Sequence, residues 1–176
     1  FGPTQGLELV IEVARRLRDI PEIHFLFVGE GTEKGKLMRM SKECGVHNVT
    51  FGPFVPPREY PALLAQMDVG LMCLASTNTT AVVPGKLFGY MAAGLPVLAF
   101  LQKQSEGHRI ITEANCGYSI VSDSVDQAQA AVRKMFQERS RLKEYGNRGR
   151  EYAASHFSKE RCIGQIERLI VGRNVS

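Results

Sequence analysis

Apolar positions along this chain recur with two periods, and the periods alternate. Leu7, Val10, Ile11, Ala14 and Leu17 fall at helical spacing, with Glu12, Arg15, Arg16 and Arg18 opposite them. That pattern predicts an amphipathic helix after a turn at Gly6. Residues 24–29 are mostly apolar and end in glycine, as a strand buried on both faces does. Helical spacing returns over residues 33–44 and stops at Gly45, and residues 48–52 read as a short strand. A helix over 57–67 begins near a proline pair, a buried strand follows over 69–74, and another covers 96–100. Residues 105–115 form a helix ending at Gly117, and 118–121 a last strand. The remainder, 125–170, reads as helical with breaks around Ser140, Gly146 and Ser158.

Strands alternating with helices predict an α/β fold, a doubly wound Rossmann-like parallel sheet with helices on both faces. In such a sheet the loops after the strands share one edge. Those loops lie at residues 29–31, 54–55, 73–83 and 100–105. The first helix has no strand ahead of it, so a strand is expected before Phe1. Residues 1–6 begin without Met or a basic leader and read as the middle of a longer chain.

Residues 82–97 carry the strongest punctuation. Pro84 opens a predicted helix, Gly94 closes it in the left-handed conformation, and a buried strand follows. The N–H groups and dipole at such a helix start form a receptor for anions. Lys86 lies in that first turn, where a cation opposes the dipole by about 0.3–1 kcal/mol. One reading is an exposed, snorkelling side chain that tolerates the opposition. The other places an anion between helix end and ammonium. Gly85 and Gly89 favour the second, because each costs a helix about 1 kcal/mol relative to alanine and lets a ligand approach the backbone. Close helix packing is the alternative use of both. The loop after the first strand reads G-x-G-x-x-x-G from Gly29, and no acidic residue ends the next strand. This departs from the dinucleotide fingerprint and leaves a tight turn, or glycines making room for a ligand across the sheet edge.

Composition narrows the chemistry. At 176 residues with 44% hydrophobic content, one domain over 1–176 is expected, with a helical tail from about residue 125. No apolar run reaches the length of a membrane span. Cys44, Cys73, Cys116 and Cys162 are far apart, which points to free thiols in a reducing compartment, the cytoplasm. The four histidines are equally scattered and no D-x-D occurs, so neither a metal nor another cofactor is expected. No phosphate-loop or esterase-elbow motif is present. From Arg133 to Arg173 there are 11 Lys/Arg against 5 Asp/Glu, net +6 of the chain's +4 total. Solvated helix faces are one reading, and a basic surface facing anionic lipid or a partner is another. Nucleic acid is not expected, because stacking aromatics are not interleaved.

Six segments then stand in a telling order: Gln5-Gly6-Leu7-Glu8, Phe27-Val28-Gly29-Glu30-Gly31, Asn48-Val49-Thr50-Phe51-Gly52-Pro53-Phe54-Val55, Met67-Asp68-Val69-Gly70-Leu71, Met91-Ala92-Ala93-Gly94-Leu95-Pro96-Val97 and Asn115-Cys116-Gly117-Tyr118. Spanning residues 5–123, with a fitting tail to 157, they resemble the C-terminal, donor-binding domain of a GT-B glycosyltransferase. The family is the retaining family four, glycosyl transferases group 1. The resemblance implies a nucleotide-diphosphate sugar across the strand ends, beside Gly29 and Gly31, with its base near Phe54 and Val55, partly on backbone groups. It places the diphosphate at Thr80, Val82, Val83 and Pro84 and at the helix behind, with Gly85, Lys86 and Gly89. The turn at Gln5 and Gly6 faces the same phosphates. Gln5 replaces a common family lysine, which leaves a weaker, neutral hydrogen bond. The family's two glutamates correspond to Ala81 and Gly89, so both carboxylates are absent. Pro84-Gly85-Lys86 resembles a subgroup reading Pro-Ser-Lys, in which the first glutamate is also often missing. A changed donor, a ribose contact from elsewhere, or lost activity would each follow.

Carried through, the resemblance implies donation of a sugar to a glycan or lipid-linked acceptor held by an N-terminal domain. The setting is bacterial polysaccharide or glycolipid assembly, in the cytoplasm and at the inner face of the membrane. Catalysis by this half is leaving-group stabilisation by N–H groups and Lys86, without metal. Retention by front-face attack follows from the family. Two rivals remain: a non-catalytic nucleotide-binding partner, and a nucleotide-sugar epimerase, for which Glu30 and Glu106 are the cleft-loop carboxylates.

Overall fold

The computed structural model describes residues 1–77, 83 and 85–171. A turn at Pro3–Gln5 leads into α1 (Glu8–Arg16), followed by β1 (Phe25–Val28), α2 (Lys34–Glu43), β2 (Val49–Gly52), α3 (Tyr60–Leu64) and β3 (Gly70–Cys73). Then come α4 (Gly85–Ala93), β4 (Val97–Leu101), α5 (Gly107–Ala114), β5 (Gly117–Val121), α6 (Val125–Gln137), α7 (Leu142–Phe157) and α8 (Lys159–Val171).

All strand pairs are parallel, but they form two sheets: β1 with β2, and β3–β4–β5 with β4 central. The halves are joined by a shared core, not by a ladder. Phe25 and Phe27 of β1 pack in one cluster with Cys73 of β3 and Leu98 and Phe100 of β4. On that face α1 crosses α6, where Arg16 pairs with Asp126 and Arg133 with Asp19 at 3.4 Å.

β4 explains the layering. All five of its residues are buried. Successive side chains of a strand point to opposite faces. Accordingly Leu98 and Phe100 enter the α1–α6 cluster, while Val97, Ala99 and Leu101 enter a second cluster with Leu87 and Met91 of α4 and Ile110 and Ile111 of α5. A strand with helices on both faces must be apolar throughout, and this one is.

Several expectations are corrected. β1 is buried at Phe25 and Phe27 on one face, and Leu26 is exposed on the other. The helix expected over 57–67 is confined to Tyr60–Leu64, since Pro61 lacks an N–H and is tolerated only in the first turn of a helix, which puts the start at Tyr60. α5 ends on Asn115 in the left-handed region, before Gly117. Gly117 is a glycine for another reason: a Cβ there would stand 1.9 Å from the Val97 carbonyl oxygen. Gly146 does not break α7. A Cβ at Gly146 would stand 1.9 Å from the Gly94 carbonyl oxygen, so its bareness lets α7 lie against the end of α4.

Candidate functional site

The site is the rim formed by the C-terminal ends of the strands. Residues 1–6 bridge its two halves. Phe1 N donates to the Glu30 carbonyl beyond β1, and Glu33 N donates to Phe1 O at 3.2 Å. Farther on, Ala75 N beyond β3 donates to Thr4 O at 2.9 Å, and the Cys73 thiol to Gly6 O at 3.4 Å. Gly6, at φ +58°, lies so close to Ala75 that a Cβ would meet the Ala75 Cα at 2.8 Å. Gln5 turns its Oε1 back onto Gly2 N at 3.3 Å, which uses the carbonyl half of the carboxamide within the turn.

At the β1 tip, Gly29 and Gly31 divide their tasks. A Cβ on Gly29 would meet nothing within 4 Å, so this position is open. At Gly31 it would collide with the Phe1 backbone at 2.1 Å, so the absent side chain admits residue 1. Beyond β2, Phe54 is 62% exposed and Val55 half-buried, and neither backbone has a backbone partner among the described residues.

At the β3 side, α4 presents Gly85, Lys86 and Gly89 to solvent and buries Leu87, Tyr90 and Met91. A Cβ at Gly85 or Gly89 would meet nothing within 4 Å. These glycines therefore leave the helix backbone bare toward open space instead of toward a packing partner. Val83 is half-buried against the second cluster. Thr80, Val82 and Pro84 lie outside the described residues, as does Ala81.

Lys86 decides the electrostatics of this corner. Among the described residues no carboxylate pairs with it. The residue keeps contact with solvent, yet surrounding protein desolvates its ammonium and holds its pKa below the usual lysine value. Lys86 thus stands in the first turn of α4 beside two glycines with open space around them, with no carboxylate partner among the described residues.

The rim contains a second lysine that periodicity alone does not single out. Lys34 begins α2, and its Nζ donates to Gly29 O at 2.9 Å, Glu30 Oε1 at 2.7 Å and Gly52 O at 3.0 Å. Its place directly after a glycine-rich strand exit was the available signal. Glu30 is thus engaged as an ion-pair partner, and Glu106 likewise pairs with Arg109 at 2.9 Å. Arg150 of α7 also went unnoticed: it donates to Ala93 O at 2.9 Å and so caps the far end of α4 with a positive charge, where the dipole favours it.

The two buried thiols are poor nucleophiles. Burial pushes Cys73 up to about 12 and Cys116 up to about 11. Among the described residues no three His, Cys, Asp or Glu side chains cluster as metal ligands, and no helix is long and apolar enough to cross a membrane.

Residues 1–152 match the family model for glycosyl transferases group 1. The chain belongs to that family. It is 33% identical, over 94% of its own length, to the putative colanic acid biosynthesis glycosyl transferase WcaI of Escherichia coli K12. It spans 40% of the length of that relative. Among solved structures, HepE of Anabaena in complex with UDP-glucose superposes with a TM-score of 0.80 at 15% identity, over 98% of this chain and 46% of that one. A TarM variant of S. aureus, in complex with UDP among other ligands, gives 0.80 at 19% identity over 96% and 33%. At these identities the superpositions establish the Rossmann-like GT-B fold, with parallel sheets between helices.

Proposed function

We propose that residues 1–176 form the donor-binding domain of a retaining glycosyltransferase, holding a nucleoside-diphosphate sugar on the strand-end rim. The observation that carries this reading is Lys86: a partly desolvated ammonium without a carboxylate partner among the described residues, one residue into a helix whose exposed glycines leave the backbone bare. The diphosphate lies there. The nucleoside extends toward Phe54 and Val55, whose backbone groups, without a backbone partner among the described residues, read the base edge. As the sugar–phosphate bond breaks, charge grows on the leaving diphosphate, and the α4 N–H groups with Lys86 stabilise it. The acceptor, a glycan or lipid-linked sugar, comes from a part of the enzyme outside this chain. Colanic acid synthesis in the relative's name and UDP-glucose in the HepE structure support a polysaccharide-building role with a nucleotide-sugar donor.

Calorimetry or saturation-transfer NMR of this chain with uridine, guanosine and adenosine diphosphates tests the reading. Binding of at least one, lost on adding salt-free pyrophosphate in excess, is expected. Absence of binding to all three overturns it.

The reading extends to a membrane surface. On α8, Ile163 and Ile166 are exposed at 43% and 56%, with Arg161 and Arg168 on the same helix. Flotation with vesicles of neutral and anionic lipid should favour the anionic ones, and equal partition rejects this extension.

Open space at Gly89, where the family has a donor-binding glutamate, favours a second reading: nucleotide binding without turnover. Transfer or donor hydrolysis by the complete protein excludes it. The epimerase alternative is weakened by the ion pairs that occupy Glu30 and Glu106.

A further inference from the structure

Lys34 has every N–H of its ammonium committed, and the acceptors come from separate segments. Gly29 O ends the β1 strand exit, Glu30 Oε1 belongs to the turn after it, and Gly52 O is the last carbonyl of β2. Its side chain is only 18% exposed. The Phe1 ring lies under the same ammonium at 6.0 Å. At the first position of α2 the cation opposes the helix dipole, so these oxygens, not the helix, hold it there. An ammonium carries three donors in a tetrahedral spread, and using all of them fixes it as a joint between the parts it touches.

What it joins is informative. Two residues past Gly52 stands Phe54, an exposed ring without a ring partner among the described residues. Across the joint is Gly29, whose missing side chain leaves open space. The β1–β2 ladder ends at the Val28–Gly52 pair, so beyond it no backbone pairing holds the two loops in register. The Lys34 ammonium takes over where the ladder stops.

We propose that Lys34 is a positioning residue, which locks the loop carrying Phe54 and Val55 to the Gly29 turn and thereby shapes the nucleoside end of the donor site. This rests on the donor-binding reading above. Lys34 itself touches no donor atom, since its N–H groups are used within the protein. Its influence falls on the base and ribose, and not on the diphosphate held at α4.

The test compares Lys34→Met, Lys34→Arg and the unmutated chain, using whichever nucleoside diphosphate binds the unmutated chain, its parent nucleoside, and inorganic pyrophosphate. Lys34→Met should weaken the diphosphate and the nucleoside by the same factor, on the order of 10-fold, and leave pyrophosphate unchanged. The amides of Phe51 and Gly52, at the end of the β1–β2 ladder, should exchange hydrogen faster. Lys34→Arg, which keeps charge and several donors, should recover part of the nucleoside affinity. Should Lys34→Met not fold, Lys34→Gln, with two amide donors, should show the same split between nucleoside and pyrophosphate. Unchanged nucleoside affinity, or a parallel loss for pyrophosphate, overturns the positioning role while leaving the donor-binding reading intact. If the unmutated chain binds no nucleoside diphosphate, the donor-binding reading falls and takes this role with it.

Discussion

Lys34 and Lys86 occupy equivalent places: each is a cation in the first turn of a helix that starts on the strand-end rim, where the dipole disfavours it. Lys34 is surrounded by three oxygens of its own chain. Lys86 has no carboxylate partner among the described residues, and desolvation lowers its pKa. The same residue type in the first helical turn has three protein acceptors on one side of the rim and no carboxylate partner among the described residues on the other. On the proposed function the contrast is one between a structural joint at Lys34 and an anion receptor at Lys86.

The sharpest way to break the contrast is Lys86→Met. It should reduce nucleoside-diphosphate affinity by about 10- to 100-fold and leave nucleoside affinity unchanged in calorimetry. Equal affinities of both proteins for the diphosphate would remove Lys86 from the site. Next in size is stability. Lys34→Met frees three protein oxygens and should lower the unfolding free energy by about 1–3 kcal/mol in urea titration, whereas Lys86→Met should not lower it. If both variants lose the same amount, the two lysines are equivalent and the distinction fails.

A subtler effect is in pH. The folded-state pKa of Lys86 lies below its unfolded value, so the fold disfavours the charged form. Stability from this group therefore rises as pH climbs through the lowered pKa and levels off above the unfolded value. Diphosphate binding runs the other way: it needs the ammonium, so affinity should fall several-fold across the same window below the ordinary lysine value near 10.5. Lys86→Met should show no such inflection, and an identical profile would assign it to another group. The smallest effect is expected from Gly89→Ala. With nothing within 4 Å of the new methyl, helix propensity should raise stability by about 0.5–1 kcal/mol in thermal unfolding. Diphosphate affinity should fall only a few-fold.

Much of the fold was legible because the apolar stripe of α1 matches its buried face and the continuous apolar run of β4 matches its burial on both faces. Leu26 misled, since an apolar run cannot tell a covered face from a bare one. Gly146 misled for a different reason: glycine weakens a helix locally, but here contact with the Gly94 carbonyl outweighs that weakness. In the candidate site, the α4 helix and its left-handed end at Gly94 could be read from the sequence, because turn chemistry is local. The Lys34 joint could not, since its acceptors at Gly29 and Gly52 meet only when β1 and β2 pair. Arg150 on Ala93 is likewise a contact between distant segments that no periodicity announces.

The notch at Gly146 reaches beyond packing. α7 braces α4 from behind through Gly146 and Gly149, grips its tail with Arg150, and sets Phe157 on Phe88 at 4.6 Å between ring centroids. The seating of α4 thus depends on a splint supplied from far downstream. Trimming the polypeptide at residue 152, where the family match stops, would take Phe157 off Phe88 and leave α4 held from behind by Gly146, Gly149 and Arg150.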